Sequence, residues 1–287
     1  MTTQYEEARR GRVTPAMKKC ARSEEVSPEK VREQVASGRA VIPANPAHTS
    51  LLPAVVGRAF RTKINANIGR STEKSSPEEE VKKMNVALCA GAHCMMDLSV
   101  GRGLAGLRRT LLKHCPVPFG TVPIYEAMSR ADGRAGDLTH ELLIAVIREQ
   151  EEQGVDFMTI HAGLLREHVG MAMKRKMGIV SRGGAIIAEW MALKKRQNPF
   201  FEAWDGIMEI CREHDVTVSL GDGLRPGCLA DASDRAQFAE LAVLGKLVKS
   251  CRKSGVQVMV EGPGHVPFNQ IKMNMDRQKR ICGGAPF

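Results

Sequence analysis

The segment at residues 258–267, with the sequence VMVEGPGHVP, carries two side chains that could do chemistry. A short apolar, β-branched run ends at the carboxylate Glu261, and a loop of glycine and proline then presents the imidazole of His265. This pattern predicts a strand that ends at Glu261, followed by a stiff loop. A carboxylate accepts hydrogen bonds and protons, and a histidine is a common metal ligand. One histidine alone does not make a zinc site, because zinc needs three or four ligands.

Each strand that the sequence predicts ends in a polar residue or is closely followed by one. Short, largely apolar strands are predicted at residues 62–67, 94–99, 117–123, 156–161, 177–182, 216–222 and 256–261, with helices between them. The carboxyl ends of parallel strands lie at the same face of a barrel, where active sites are built, so these side chains are predicted to meet. They are Asn67, Asp97, Tyr125, His161, Ser181 with Arg182, Asp222 with Arg225, and Glu261 with His265.

Some of these residues also have simpler interpretations. Ser181 and Arg182 precede two glycines at the start of a predicted helix, where free N–H groups and a guanidinium would bind phosphate, but the same sequence suits an ordinary turn. Asp222 and Arg225 could contact a substrate or pair only with each other. His161, taken alone, suits a buried core residue as well as a functional one.

Seven strand–helix units, spaced 20–40 residues apart, predict an α/β fold with parallel strands. The closed form of this pattern is the (β/α)₈ barrel, here with about seven of its eight units. Residues 1–60 are predicted to form an N-terminal cap or small subdomain, and residues 61–287 an incomplete catalytic barrel. An open, doubly wound sheet is the alternative, but the NIGRS sequence after the first strand is not a phosphate-binding or dinucleotide-binding loop.

Composition excludes several classes of protein. The chain has no apolar run long enough to cross a membrane and no secretory signal at its start, so we expect a cytoplasmic protein. Its net charge is +10, but the basic residues are scattered and aromatic residues make up only 4%, which argues against nucleic-acid binding. Eight cysteines without a CxxC pair are expected to be reduced thiols.

Eight sequence blocks, in this order, resemble those of the phosphomethylpyrimidine synthase family, the radical enzymes that make the thiamine pyrimidine. The resemblance extends over essentially the whole chain. The blocks are IPAN at 42–45, KINANIG at 63–69, MDLS at 96–99, GTVPIY at 120–125, GVDFMTIHAG at 154–163, GIVSRGG at 178–184, SLGDGLRPG at 219–227 and VEGPGHVP at 260–267.

The resemblance implies a lyase with a (β/α)₈ barrel that converts 5-aminoimidazole ribotide to hydroxymethylpyrimidine phosphate. A 4Fe–4S cluster would cleave S-adenosylmethionine to start the reaction, and the family implies a homodimer. By motif, His265 would be a zinc ligand. The substrate contacts would be Asn67, Met96, Tyr125, His161, Ser181, Arg182, Gly183, Asp222, Gly223, Leu224, Arg225 and Glu261.

The chain departs from the family at its end. The family continues beyond the APF of residues 285–287 with a tyrosine, a last strand, a second metal-binding histidine and a CxxCxxxxC motif that holds the cluster. We therefore expect a truncated form that is inactive alone. A 5-hydroxybenzimidazole synthase, which uses the same substrate, and a non-catalytic ribotide-binding remnant are the alternatives.

Overall fold

The computed structural model describes residues 2–71 and 75–287, which form two sheets with helices packed around them. β1 and β2 pair as a small antiparallel sheet, and the other six strands form one parallel sheet in chain order. The strands are β1 Ala40–Val41, β2 Val56–Gly57, β3 Asn65–Ile68, β4 Cys94–Asp97, β5 Phe119–Thr121, β6 Phe157–Ile160, β7 Thr217–Leu220 and β8 Val258–Val260.

Helices connect the parallel strands, as the alternation of apolar strands and amphipathic segments predicts.

None of the helices in the described ranges is long and apolar enough to cross a membrane. The helices are α1 Gln4–Arg9, α2 Pro15–Glu24, α3 Pro28–Ala36, α4 Pro77–Cys89, α5 Leu104–His114, α6 Pro123–Arg130, α7 His140–Glu152, α8 Arg166–Ala172, α9 Arg182–Lys194, α10 Pro199–Glu202, α11 Trp204–Glu213, α12 Arg235–Lys253 and α13 Ile271–Ile281.

The start of α4 shows how local sequence sets these boundaries. Ser76 accepts a hydrogen bond from the backbone of Glu79, whose side chain accepts one from the backbone of Ser76. Pro77 occupies the first helical position, where its missing N–H costs nothing. This capping box fixes the first turn of the helix.

The α/β fold with parallel strands is confirmed, but one predicted strand is wrong. Residues 177–181 are a loop that leads into α9, although their apolar sequence suits a strand. β6 and β7 pair directly over four residue pairs, from Phe157 with Thr217 to Ile160 with Leu220. Because β6 and β7 are hydrogen-bonded directly to each other along these edges, no other strand can lie between them.

The first 60 residues have their own cluster of buried apolar side chains, which includes Met17, Val31 and Ile42. A larger cluster fills the sheet and the helices around it. The division into a cap at 1–60 and a barrel at 61–287 stays a prediction.

A buried polar network joins the N-terminal segment to the sheet. The Asp156 carboxylate, just before β6, accepts hydrogen bonds from the backbone N–H groups of Asn45 at 2.9 Å and Phe119 at 2.8 Å. It also contacts Nδ1 of His48 at 2.6 Å. All four residues are buried, so each polar group depends on these partners.

We predict that Asp156→Ala lowers the free energy of unfolding by about 3–5 kcal/mol, because it leaves buried donors without an acceptor. Urea unfolding measures the change. Asp276→Ala, which removes an exposed carboxylate on α13, should have a much smaller effect. Equal effects of the two substitutions would contradict this role of Asp156.

A candidate substrate site at the strand ends

The six parallel strands surround one cavity of about 490 Å³ that extends to their carboxyl ends, and we call it the strand-end cavity. Residues in or directly after every one of these strands line it, so the sheet curves around the space. Seven of the predicted site residues lie in its wall: Asn67, Met96, Tyr125, His161, Asp222, Arg225 and Glu261.

The other predicted site residues do not line this cavity. Gly183, Gly223 and Leu224 are buried, and Gly183 packs against the ring of His161. Arg182 lines an adjoining cavity of about 600 Å³, which shares Tyr125 with the first. Ser181 is the N-cap of α9, and His265 is exposed.

His161 is held between two backbone segments. A Cβ atom added to Gly183 would lie 2.5 Å from Cε1 of the His161 ring, and one added to Gly221 would lie 2.8 Å from Cδ2. Only glycine leaves room for the ring at either position. Asn198 fixes the backbone of His161, because its side-chain amide donates to the His161 carbonyl at 2.8 Å.

The imidazole of His161 is uncharged at neutral pH. Burial lowers its pKa to about 4, and the nearby positive charge of Arg225 acts in the same direction. Its Nδ1 atom is buried and has no hydrogen-bond partner within the protein. Because the neutral ring also lines the cavity, it can accept or donate one hydrogen bond to a bound molecule.

Two carboxylates and one guanidinium form a charged cluster on one side of the cavity. Arg225 Nη1 lies 3.1 Å from Asp222 Oδ1, so these residues do pair with each other. The backbone N–H of Asp222 donates to Glu261 at 3.4 Å, and Thr159 donates to the same carboxylate at 3.3 Å. The arrangement joins the ends of β6, β7 and β8.

The carboxyl groups of this cluster are shifted toward their protonated forms. Burial raises the pKa of Glu261 to about 7, and repulsion from Asp222 adds to the shift. Burial also raises the pKa of Asp222, although the neighbouring Arg225 opposes the change. Glu261 can therefore hold or release a proton near neutral pH.

The start of α9 supplies positive charge beside the cavity. The Arg182 guanidinium lies over the ring of Tyr125, 4.9 Å from its centre. Ser181 caps the helix by accepting a hydrogen bond from the backbone of Gly184 at 3.1 Å. A helix N-terminus beside a guanidinium is favourable for an anion.

Sequence reasoning missed several residues in the cavity wall. Thr159 and Phe157 lie two and four residues before His161 and share its side of β6, because side chains alternate along a strand. Ser219 and Met259 line the cavity in the same way on β7 and β8. The alternation was the signal that could have identified them.

The described residues do not provide the expected metal ligands. His265 is exposed, and among these residues only Glu151, Glu213 and His214 bring three possible ligand atoms within 4.8 Å of one another. That group lies where α7 and α11 lead into β6 and β7, at the opposite end of the sheet. All eight cysteines are free thiols, and no three of them meet in the described ranges.

Relatives of known name match the whole chain. Phosphomethylpyrimidine synthase of Natronomonas pharaonis is 55% identical over 287 residues, which cover 100% of this chain and 60% of the relative. The enzyme of the same name from Haloarcula marismortui is 55% identical over 285 residues, which cover 99% of this chain and 59% of the relative. The chain therefore spans about 60% of the length of these curated relatives.

Solved structures give a weaker likeness. Dihydropteroate synthase of Xanthomonas albilineans with 4-aminobenzoic acid aligns with a TM-score of 0.44 and 11% identity, over 85% of this chain and 75% of that one.

The family assignment rests on sequence. A model of the radical SAM ThiC family matches residues 3–287, which is nearly the whole chain. Together with the 55% identity to two named synthases, this match shows that the chain belongs to the radical SAM ThiC family.

Proposed function

We propose that the chain binds 5-aminoimidazole ribotide in the strand-end cavity and forms the substrate-binding part of a phosphomethylpyrimidine synthase. The observation that carries this proposal is the convergence of seven predicted site residues on one cavity. The names of the relatives support the assignment to thiamine biosynthesis.

The phosphate end of the ribotide needs positive charge and N–H donors. Arg182 and the first turn of α9 offer both, and Tyr125 beside them has a hydroxyl that can donate. Burial raises the pKa of this hydroxyl, so it keeps its proton. A phosphate placed here would compensate the exposed guanidinium.

The aminoimidazole end needs hydrogen-bond acceptors and a neutral donor. The carboxylates of Asp222 and Glu261 can accept from its amino group, and the imidazole of His161, which lines the same cavity, is a further hydrogen-bonding partner. Glu261, with a pKa of about 7, could also take or return a proton at this end.

The cofactors of the family do not fit the described residues. A 4Fe–4S cluster needs cysteine thiolates that meet, and no such group exists in the described part of the chain. Zinc would have His265 as one ligand, but no group of three possible ligand atoms in the described residues includes it. We therefore assign binding and orientation of the ribotide to this chain, and no step of the radical reaction.

We predict that Arg182→Met weakens binding of the ribotide about 10- to 100-fold, because a charge-assisted hydrogen bond contributes about 1.5–3 kcal/mol. Calorimetry with the ribotide and with its dephosphorylated riboside measures the effect. The riboside should bind equally to both proteins. Arg148→Met, which alters an exposed ion pair on α7, is the control. If Arg182→Met loses the same affinity for the ribotide as for the riboside, Arg182 does not contact the phosphate.

We predict that ribotide affinity rises with pH through about 7, because the ionised Glu261 accepts stronger hydrogen bonds than the protonated acid and accepts them at both oxygens. The pKa of Glu261 is raised, so its carboxylate forms only above that pH. Glu261→Gln should reduce this dependence to the part due to the phosphate, whose second pKa is about 6. Glu209→Gln on the exposed side of α11 should leave it unchanged. Calorimetric titrations at several pH values test this, and identical profiles for wild type and Glu261→Gln would contradict it.

We predict that the chain, supplied with iron, sulfide, reductant and S-adenosylmethionine, forms no 5′-deoxyadenosine, since no three of its described cysteines meet. Chromatography detects the product. Formation of deoxyadenosine in proportion to the amount of added protein would contradict the prediction. Ribotide binding under the same conditions shows that the protein is folded.

A further inference from the structure

Glu240 is a buried carboxyl group that the proposed binding contacts do not use. It lies on α12 and is 2% exposed. Burial raises its pKa to about 8, so it is protonated at neutral pH. A buried acid in the middle of a helix is costly unless its polar atoms are used.

One oxygen of Glu240 binds the segment that carries Asp222 and Arg225. The backbone N–H of Leu224 donates to Glu240 Oε2 at 2.7 Å. The backbone N–H of Gly223 also stabilises the carboxylate form. A Cβ atom on Gly223 would lie only 3.0 Å from Glu240 Oε1, so the segment packs directly on this side chain.

Arg175 holds the same segment through its carbonyl groups. Its guanidinium donates to the carbonyls of Leu224 at 2.8 Å and Arg225 at 3.3 Å. It also pairs with Asp234, the N-cap of α12, at 2.7 Å. The helix therefore fixes the N–H groups of the segment through Glu240 and its carbonyl groups through Arg175 and Asp234.

The second oxygen of Glu240 is not used. Oε1 is buried and has no hydrogen-bond partner within the protein. Glu240 also lines a cavity of about 210 Å³ whose wall includes Asp222, Arg225 and Glu261. The side chain thus lies directly behind the charged residues of the strand-end cavity.

We propose that Glu240 is a positioning residue, which orients residues 222–225 so that Asp222 and Arg225 face the ribotide. It does not touch the ribotide itself, and this inference rests on the proposed function. Glu240 performs this role as an uncharged acid, because an ionised Glu240 would repel Asp222.

The charged groups around Glu240 set the direction of its pH effect. Asp222 raises its pKa and Arg175 lowers it, while burial is the largest cause of the shift. The remaining polar residues around the small cavity are the charged Arg225 and Glu261 and the neutral Gln237, Asn274 and Gln278. Ionisation of Glu240 above about pH 8 therefore adds a second negative charge beside Asp222 and should disturb the segment.

Two variants and one control test the proposal. Glu240→Gln keeps the shape and the acceptor of the protonated acid, whereas Glu240→Leu removes the acceptor. Glu151→Gln replaces another buried carboxyl, at the opposite end of the sheet, and is the control. Hydrogen exchange of residues 221–227 and calorimetric affinity for the ribotide are measured for all four proteins from about pH 7 to about pH 9.5.

We expect Glu240→Leu to speed exchange in residues 221–227 and to weaken binding about tenfold, a change of about 1.4 kcal/mol. Glu240→Gln should match wild type at pH 7 and should lack the loss of affinity that wild type shows above about pH 8. Glu151→Gln should retain that loss.

If hydrogen exchange of residues 221–227 is the same in Glu240→Leu as in wild type, the positioning role is wrong. It is also wrong if wild type and Glu240→Gln lose ribotide affinity equally above about pH 8. If Glu240→Leu does not fold, the comparison between wild type and Glu240→Gln still decides. If wild type binds no ribotide, the proposed function fails, while the exchange measurements still show whether Glu240 holds the segment.

Discussion

The close contact of the His161 ring with two glycines is the constraint on which the strand-end cavity depends. Gly183 comes from the start of α9 and Gly221 from the end of β7, so the ring joins both segments to the end of β6. The backbone of Gly184 also lies against Gly223, where a Cβ atom would be 2.4 Å from the carbonyl oxygen. Larger residues at these positions would separate the segments that hold Arg182 and Asp222.

The acidic groups of the site are buried with few cations beside them, and this raises their pKa values. Asp222, Glu240 and Glu261 are all shifted toward their protonated forms by burial, and Arg225 is the cation paired with Asp222. These groups lie close together, at the ends of β7 and β8 and on α12. The charge of Asp222 therefore raises the pKa of both Glu240 and Glu261. A phosphorylated, nitrogen-rich ligand matches this arrangement, because it offers an anion to Arg182 and N–H donors to the carboxyls.

The sequence predicted the positions of most strand ends because an apolar run followed by a polar residue marks the point where a buried strand reaches the surface. It failed at residues 177–182, whose local sequence suits a strand, because the direct pairing of β6 with β7 depends on residues far apart in the chain. Glu240 was also missed. Its position on α12 suggests an exposed charge, and only tertiary packing buries it.

A crystal structure of the chain with bound 5-aminoimidazole ribotide is the most direct test of the central claim. We predict one ribotide in the strand-end cavity, with its phosphate at Arg182 and the first turn of α9 and its aminoimidazole beside His161 and Glu261. A ribotide bound elsewhere, such as in the groove lined by Arg212 and Arg252, or one with its phosphate directed away from Arg182, would contradict it.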